Sequence, residues 1–242
     1  MLDAPLYKEV MQQLTHDLAR GEWRPGEALP SESRLAERFQ VSIGTLRKAI
    51  DALVAQRAVV RRQGRGTFVA THNASRLMFH FFHIVPREGT PELPLTKTLA
   101  FERSRALEAE ARKLGIAAGD GVLRIRNLLL LGDRPVVLDD LVLPQARFPG
   151  LTRRLFTGRE STIYQLYQER YGIHVLRTSE RLRATQADAD AAALLGVKRG
   201  ASLLEINRIA LTYHDAPVEL RRSLVDTEAH EYFSDLGRPE QR

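Results

Sequence analysis

The sequence predicts an α+β protein in two parts, an N-terminal winged helix-turn-helix domain joined to a C-terminal antiparallel-sheet domain with flanking helices. Three observations predict it. The first 70 residues carry three short helical patterns followed at once by a two-stranded hairpin. A polar stretch, THNASR (71–76), has no periodicity and reads as a linker. Beyond it, LGIAAGDGVLRIRNLLLLGDRPVVLDDLVL (114–143) returns as LGVKRGASLLEINRIALTYHDAPVELRRSLV (195–225), at an offset of 81 that becomes 82 after one inserted residue. The expected domains are therefore 1–70 and 77–242, with 71–76 between them.

A first helix is expected over Leu6–Arg20, where Leu6, Val10, Leu14 and Leu18 recur at near-helical spacing and Gly21 follows as a stop. WRPGEALP is loop, with a turn signal at Pro25-Gly26. Ser31 can cap a second helix running through Phe39, with Glu32 in the first turn, where an acid suits the helix dipole. After the break at Gln40-Val41-Ser42, Ser42 caps a third helix whose inner face is Leu46, Ala49, Ile50, Leu53 and Val54. That spacing leaves Gly44, Thr45, Arg47, Lys48 and Asp51 on the outside. VVRRQGRGTFVA then reads as two strands around a Gly64-Arg65-Gly66 turn, the hairpin called a wing. Two short helices across a three-residue break form a helix-turn-helix, whose second member is shaped to enter a groove.

In the repeat, Gly115 matches Gly196, Gly119 matches Gly200, Asp133 matches Asp215 and Pro135 matches Pro217. Each copy reads as helix end, turn, long strand, Asp-containing turn and long strand. Two copies are too few for a solenoid, so two similar halves packed into one antiparallel sheet are expected.

Net charge is +6 with a pI near 9.9, which permits a polyanionic partner. Residues 42–66 hold six basic side chains (Arg47, Lys48, Arg57, Arg61, Arg62, Arg65) against one acid, Asp51. Clustered positive charge is the footprint of a nucleic-acid contact; on charge alone, a solvated basic face is the other reading. The absence of cysteine excludes disulfides, thiolate metal sites and cysteine nucleophiles. No apolar run reaches the roughly 18 residues of a membrane span. MLDAPLYKEV is no secretion signal, so a cytoplasmic protein without a membrane partner is expected.

The stretch from Pro5 to Ala70 resembles the winged-helix domain of the GntR family of bacterial transcription regulators. The resemblance is carried by PLYKEV, G-x-x-x-P-G-E-x-L-P-S-E, L-A-x-x-F-x-V-S, T-L-R-K-A-I and G-R-G-T-F-V-A. It implies DNA contacts from Ser33, Arg34, Ser42, Gly44, Thr45, Arg47 and Lys48 in the helices and from Arg61, Arg62, Arg65 and Gly66 in the wing. Arg47 matches a DNA-contacting arginine of the family, and Thr45 a common small contact position. The family usually has arginine where this chain has Ser33 and Ile43, so two base contacts common in the family are expected to be absent. Gly44 is either a weak helix position or a point of close approach to DNA.

Residues 77–236 resemble the UTRA domain of HutC-type members, whose fold is similar to that of chorismate lyase and which binds small metabolites. VLRIRNLLLLGDRPVVLDDLVLP, FPGL, STIYQLYQERYGI and AALLGVKRGASLLEINR carry that resemblance. Period two puts Val137, Asp139 and Leu141 on one face of a strand and Glu219, Arg221 and Ser223 on the corresponding face of its repeat. The resemblance implies effector contacts from acids at Asp139 and Glu219, with Arg221, Ser223 and Arg181 as further candidates. The alternatives are an ion pair within the sheet and, for Arg181, a surface position. Asn127 stands where ligand-binding relatives often have arginine, and Val225 where some have tyrosine, which argues against an amino-sugar phosphate. No cofactor or metal is expected, because His80 and His83, three apart on a strand, point to opposite faces. Phe79, Phe81 and Phe82 read as core.

The function expected is that of a metabolite-responsive DNA-binding transcription regulator, a repressor by family habit. Its partners are double-stranded operator DNA, a small-molecule effector and a second copy in a homodimer. The alternatives are a chorismate-lyase-like enzyme, against which the missing catalytic grouping argues, and a regulator that no longer responds to a ligand.

Overall fold

A computed structural model describes residues 5–71 and 81–234. The helices are α1 (Leu6–Ala19), α2 (Glu32–Arg38), α3 (Ile43–Ala55), α4 (Glu108–Leu114), α5 (Arg153–Thr157), α6 (Ile163–Tyr171) and α7 (Ala189–Leu195). The strands are β1 (Val59–Arg62), β2 (Gly66–Val69), β3 (Ile84–Pro86), β4 (Leu95–Arg105), β5 (Gly121–Leu131), β6 (Arg134–Pro144), β7 (Arg177–Gln186), β8 (Ser202–Leu211), β9 (Pro217–Asp226) and β10 (His230–Tyr232). The expected linker falls almost wholly outside the described residues, as do Phe79 and His80.

The chain packs into two units. The first is Met1–His72 together with Ser161–Arg177 and Ala210–Ala216; the second is Asn73–Glu160, Thr178–Ile209 and Pro217–Arg242. In the first, α2 has 7 residues and α3 has 13, lengths at which isolated helices are marginal in water. Their stability comes from one shared core, in which Leu14, Leu35, Leu46 and Leu53 are fully buried. The Ser31 hydroxyl accepts from the Arg34 amide to start α2, and the Ser42 hydroxyl accepts from the Thr45 amide at 3.1 Å to start α3. Between the two helices Gln40 takes φ 53°, the left-handed step that makes the short break possible. Ser42→Ala is expected to cost about 1 kcal/mol of stability, read as a lower urea midpoint at unchanged slope.

The β1–β2 hairpin pairs Val59 with Val69 and Arg62 with Gly66, the expected wing. This unit is larger than residues 1–70. Leu176 and Tyr213 lie in the same apolar cluster as Leu14 and Trp23. The Gln168 carboxamide on α6 donates to the Ala70 carbonyl at 2.9 Å.

The second unit is a six-stranded sheet in the order β4-β5-β6-β9-β8-β7. That order is the internal repeat made visible. β4-α4-β5-β6 and β7-α7-β8-β9 are equivalent halves, joined where β6 pairs antiparallel with β9. Both α4 and α7 end on a left-handed glycine, Gly115 at φ 65° and Gly196 at φ 72°, which explains why the repeat preserves those glycines. Alternation sorts the two faces of the sheet. Leu128, Leu138 and Leu224 pack against α7, while Leu129, Val137 and Val225 pack against Ile84 and Tyr232 of the β3–β10 ribbon. Phe81 is buried, as expected, and the His83 ring sits 5.1 Å from that of Tyr232.

Candidate functional site

The outer surface of α3 and the wing presents the predicted basic set. Ser33, Arg34, Ser42, Gly44, Arg47, Lys48, Arg61, Arg62, Arg65 and Gly66 are all exposed, and Thr45 is half-buried beneath them. The helical period explains this, since Leu46, Ala49, Ile50 and Leu53 take the core side of α3. Two cations are held in place by acids. The Glu32 carboxylate accepts from Arg47 Nε at 2.6 Å and lies 3.7 Å from Arg61, which also donates to Asp51 at 2.5 Å. Arg47 and Arg61 remain 62% and 44% exposed, so these pairs orient the guanidiniums without removing them from water. Arg62 stacks over the Phe68 ring at 4.6 Å. Helical position alone marks Glu32 as a helix-dipole acid; its buttressing of Arg47 and Arg61 joins α2 to α3 and the wing, which no local pattern carries.

On the ribbon side of the sheet a second, buried set of charges converges. Asp139 on β6 lies directly opposite Ser223 on β9, and the Ser223 hydroxyl donates to it at 2.5 Å. Arg221, two residues along β9, faces the same side. Its guanidinium grips Glu219 through Nε at 2.9 Å and Nη2 at 3.1 Å, and reaches Asp139 through Nη1 at 3.2 Å. Four of the five predicted residues are therefore together. Arg181 is not among them: it is exposed on β7, and its neighbour Glu180 instead bonds two residues of the cleft. Glu180 accepts from Arg208 at 2.5 Å and from the Tyr232 hydroxyl at 2.6 Å.

Burial decides the electrostatics. It pushes the Asp139 carboxyl above its ordinary value, more than Arg221, the Ser223 hydroxyl and Arg208 pull it down. Burial also acts on Glu180, but there Arg208, the Tyr232 hydroxyl and His83 outweigh it and the carboxyl is held below its ordinary value. The Tyr232 hydroxyl is pushed up by burial and by its bond to Glu180. The two carboxyls, one lining the cleft and one bound to its Arg208 and Tyr232, are thus driven in opposite directions.

The cleft is lined by Asp139, Arg208, Arg221, Ser223, His83 and Tyr232, with Leu129, Val137 and Ile206 as its apolar floor. Its volume of about 20 Å³ is the space of a single water. The charges therefore satisfy one another, and a metabolite larger than a water would have to part these pairs. Beside the cleft, Asn127 is paired across strands with Asp139 and is fully buried. Its Oδ1 accepts from Thr98 at 2.9 Å, while its Nδ2 has no hydrogen-bond partner among the described residues. Among those residues no cluster of histidine and acids is arranged to hold a metal, and no helix is long and apolar enough to cross a membrane.

Comparisons with known proteins agree with both halves. Residues 6–69 match the family described as bacterial regulatory proteins, gntR family, and residues 92–231 match the UTRA domain. The chain is 30% identical over 216 residues to an Escherichia coli (strain K12) protein named "Probable fructoselysine utilization operon transcriptional repressor", covering 89% of this chain and 88% of that one. It is 31% identical to the transcriptional repressor PhnF of Mycolicibacterium smegmatis, over 87% of this chain and 88% of that one. Among solved structures it resembles the ligand-binding domain of a Bordetella bronchiseptica protein assigned to the GntR family, with 37% identity and a TM-score of 0.63. That likeness covers 65% of this chain and 98% of the other.

Proposed function

Because this chain belongs to the GntR family of DNA-binding transcription regulators and carries a UTRA domain, we propose that it is a repressor whose grip on an operator is set by a small zwitterionic metabolite. The family is one of regulators and not of enzymes, so a lyase activity is set aside. The relatives are named for different systems, fructoselysine utilization and PhnF among them, so their names do not select an effector for this chain.

The observation that carries the reading is the buried triad in which Arg221 bridges Glu219 and Asp139. Buried charge is costly unless paired, and here groups of both signs line one cleft. A ligand bearing a carboxylate and an amine or imidazole could replace these partnerships one for one. As a homodimer in the cytoplasm, the protein would present two α3 helices to a pseudo-palindromic operator with half-site centres about 34 Å apart. Changing operator affinity tenfold needs about 1.4 kcal/mol of differential effector binding between the two forms.

The test begins with a thermal-shift panel of amino acids and imidazole-bearing metabolites, followed by titration of the stabilising compound into the protein–operator complex. Asp139→Asn and Glu219→Gln keep the shape of the cleft and remove its negative charge. Both variants are expected to bind operator within about twofold of wild type and to lose at least tenfold of the effector response, the 1.4 kcal/mol above. If both respond as wild type does, the cleft charges are structural and the effector binds elsewhere. If no compound stabilises the protein or moves the complex, a regulator without a ligand is favoured, in keeping with the small volume of the cleft.

A further inference from the structure

We propose that Ile43 reads a thymine through its C5-methyl group, close beside the base contacted by Arg47. The inference rests on the reading of α3 as the helix that enters the major groove.

Ile43 is the first residue of α3 and is 43% exposed. The core has no use for it: Leu46, Ala49, Ile50 and Leu53 fill the inner face of the helix. An exposed apolar side chain is unremarkable by itself. Its setting is what carries the argument. Recognition helices contact base edges through their N-terminal residues, and Ile43 opens this one. Arg47 lies four residues on, along the same flank. The separation is about 6 Å along the helix axis, or roughly two base-pair steps of about 3.4 Å.

The neighbouring glycine is a second, independent observation. Gly44 has an ordinary helical backbone, not a left-handed one. A Cβ added to it would meet nothing nearer than the Ser42 hydroxyl, at 3.8 Å. Nothing inside the chain therefore demands glycine there, although glycine costs up to about 1 kcal/mol in a helix. The demand comes from outside: an absent side chain lets the start of α3 come close to the floor of the groove.

What a branched alkyl group can read in that groove is limited. Guanine offers O6 and N7, cytosine an amino group and adenine N7 with an amino group, and isoleucine satisfies none of these. Thymine alone presents an apolar methyl. Setting Ile43 against any other edge would desolvate a polar group without replacing its hydrogen bond. One position of the half-site should therefore be thymine, where arginine in the place of Ile43 would select guanine.

The experiment is selection of operator sites from random DNA with the full chain, followed by uracil-for-thymine replacement at each position of the selected half-site. Uracil lacks only the methyl group. Wild type is expected to lose about fourfold in affinity per half-site at one position, the effect of one buried methyl-sized contact. Ile43→Ala should bind the thymine and uracil forms equally, and Ile43→Arg should select guanine at that position. Gly44→Ala should raise thermal stability while weakening binding to every site. Uracil tolerated at all positions, or equal sensitivity in Ile43→Ala, overturns the assignment. Wild-type binding by Gly44→Ala overturns the close approach. A chain that enriches no site at all overturns the reading of α3 as the recognition helix, and this inference with it.

Discussion

Replacing Arg221 with alanine is expected to lower the stability of the sheet unit by about 3–5 kcal/mol at neutral pH, the cost of removing one partner from a buried ion pair. The three side chains are 11%, 2% and 0% exposed for Arg221, Asp139 and Glu219, so water cannot take the place of the guanidinium. Two carboxyls would be left facing one another. They can relieve the repulsion only by taking up a proton, so the loss should shrink as pH falls from 7 toward 5. In the wild type, burial already raises the Asp139 carboxyl above its ordinary 3.8. Asp139 therefore contributes stability that is complete below that ordinary value and is lost as pH rises through the folded one. Removing Arg221 takes away an attraction that opposes this rise, which extends the same trend to higher pH. Urea unfolding read by amide exchange on β6 and β9 measures both effects. A loss below 1 kcal/mol, or one that grows as pH falls, would show that the triad is not the buried network described.

The parts of the molecule that could be read from sequence are those in which a periodic apolar pattern is anchored by a chemically obvious end. Ser31 and Ser42 announce their helices because a hydroxyl at an N-cap satisfies an amide that would otherwise be orphaned. Asp139, Glu219, Arg221 and Ser223 could be placed on one face because the repeat aligned two strands whose buried leucines and valines fix their parity. β7 has no such anchor. In RTSERLRATQ, Leu182 and Ala184 are themselves exposed, so nothing in the pattern says which face is inner. A slip of one residue then puts Arg181 in the place of Glu180. Arg208 and Tyr232 were invisible for a different reason. Their roles depend on β8 and on a three-residue ribbon strand whose partner, β3, lies far away along the chain. The same holds for Leu176 and Tyr213, which join a core built from the other end of the sequence.

Operator affinity is expected to fall about a thousandfold as salt rises from 50 to 200 mM, with log K against log salt at a slope near −5. Five cations per protomer stand on α3 and the wing, but they are not equivalent. Arg47 and Arg61 already have Glu32 and Asp51 as counter-charges, and forming a DNA contact would exchange one partner for another. Lys48, Arg62 and Arg65 have no salt bridge among the described residues, so each can neutralise a phosphate outright, and the cations this frees from the DNA make binding salt-dependent. At roughly −0.9 for each phosphate, three contacts from each of two protomers account for the slope. The double variant Glu32→Gln with Asp51→Asn should then steepen the slope toward about −7, because Arg61 would be free to neutralise one more phosphate per protomer while Arg47 contacts a base. Arg65→Ala should make it shallower by about 2 for the dimer, with a loss of affinity spread evenly over all sequences. A wild-type slope shallower than −2 would remove this face from consideration as the DNA-binding surface. An unchanged slope near −5 in the double variant would mean that Arg61 makes no phosphate contact even when its carboxylates are removed.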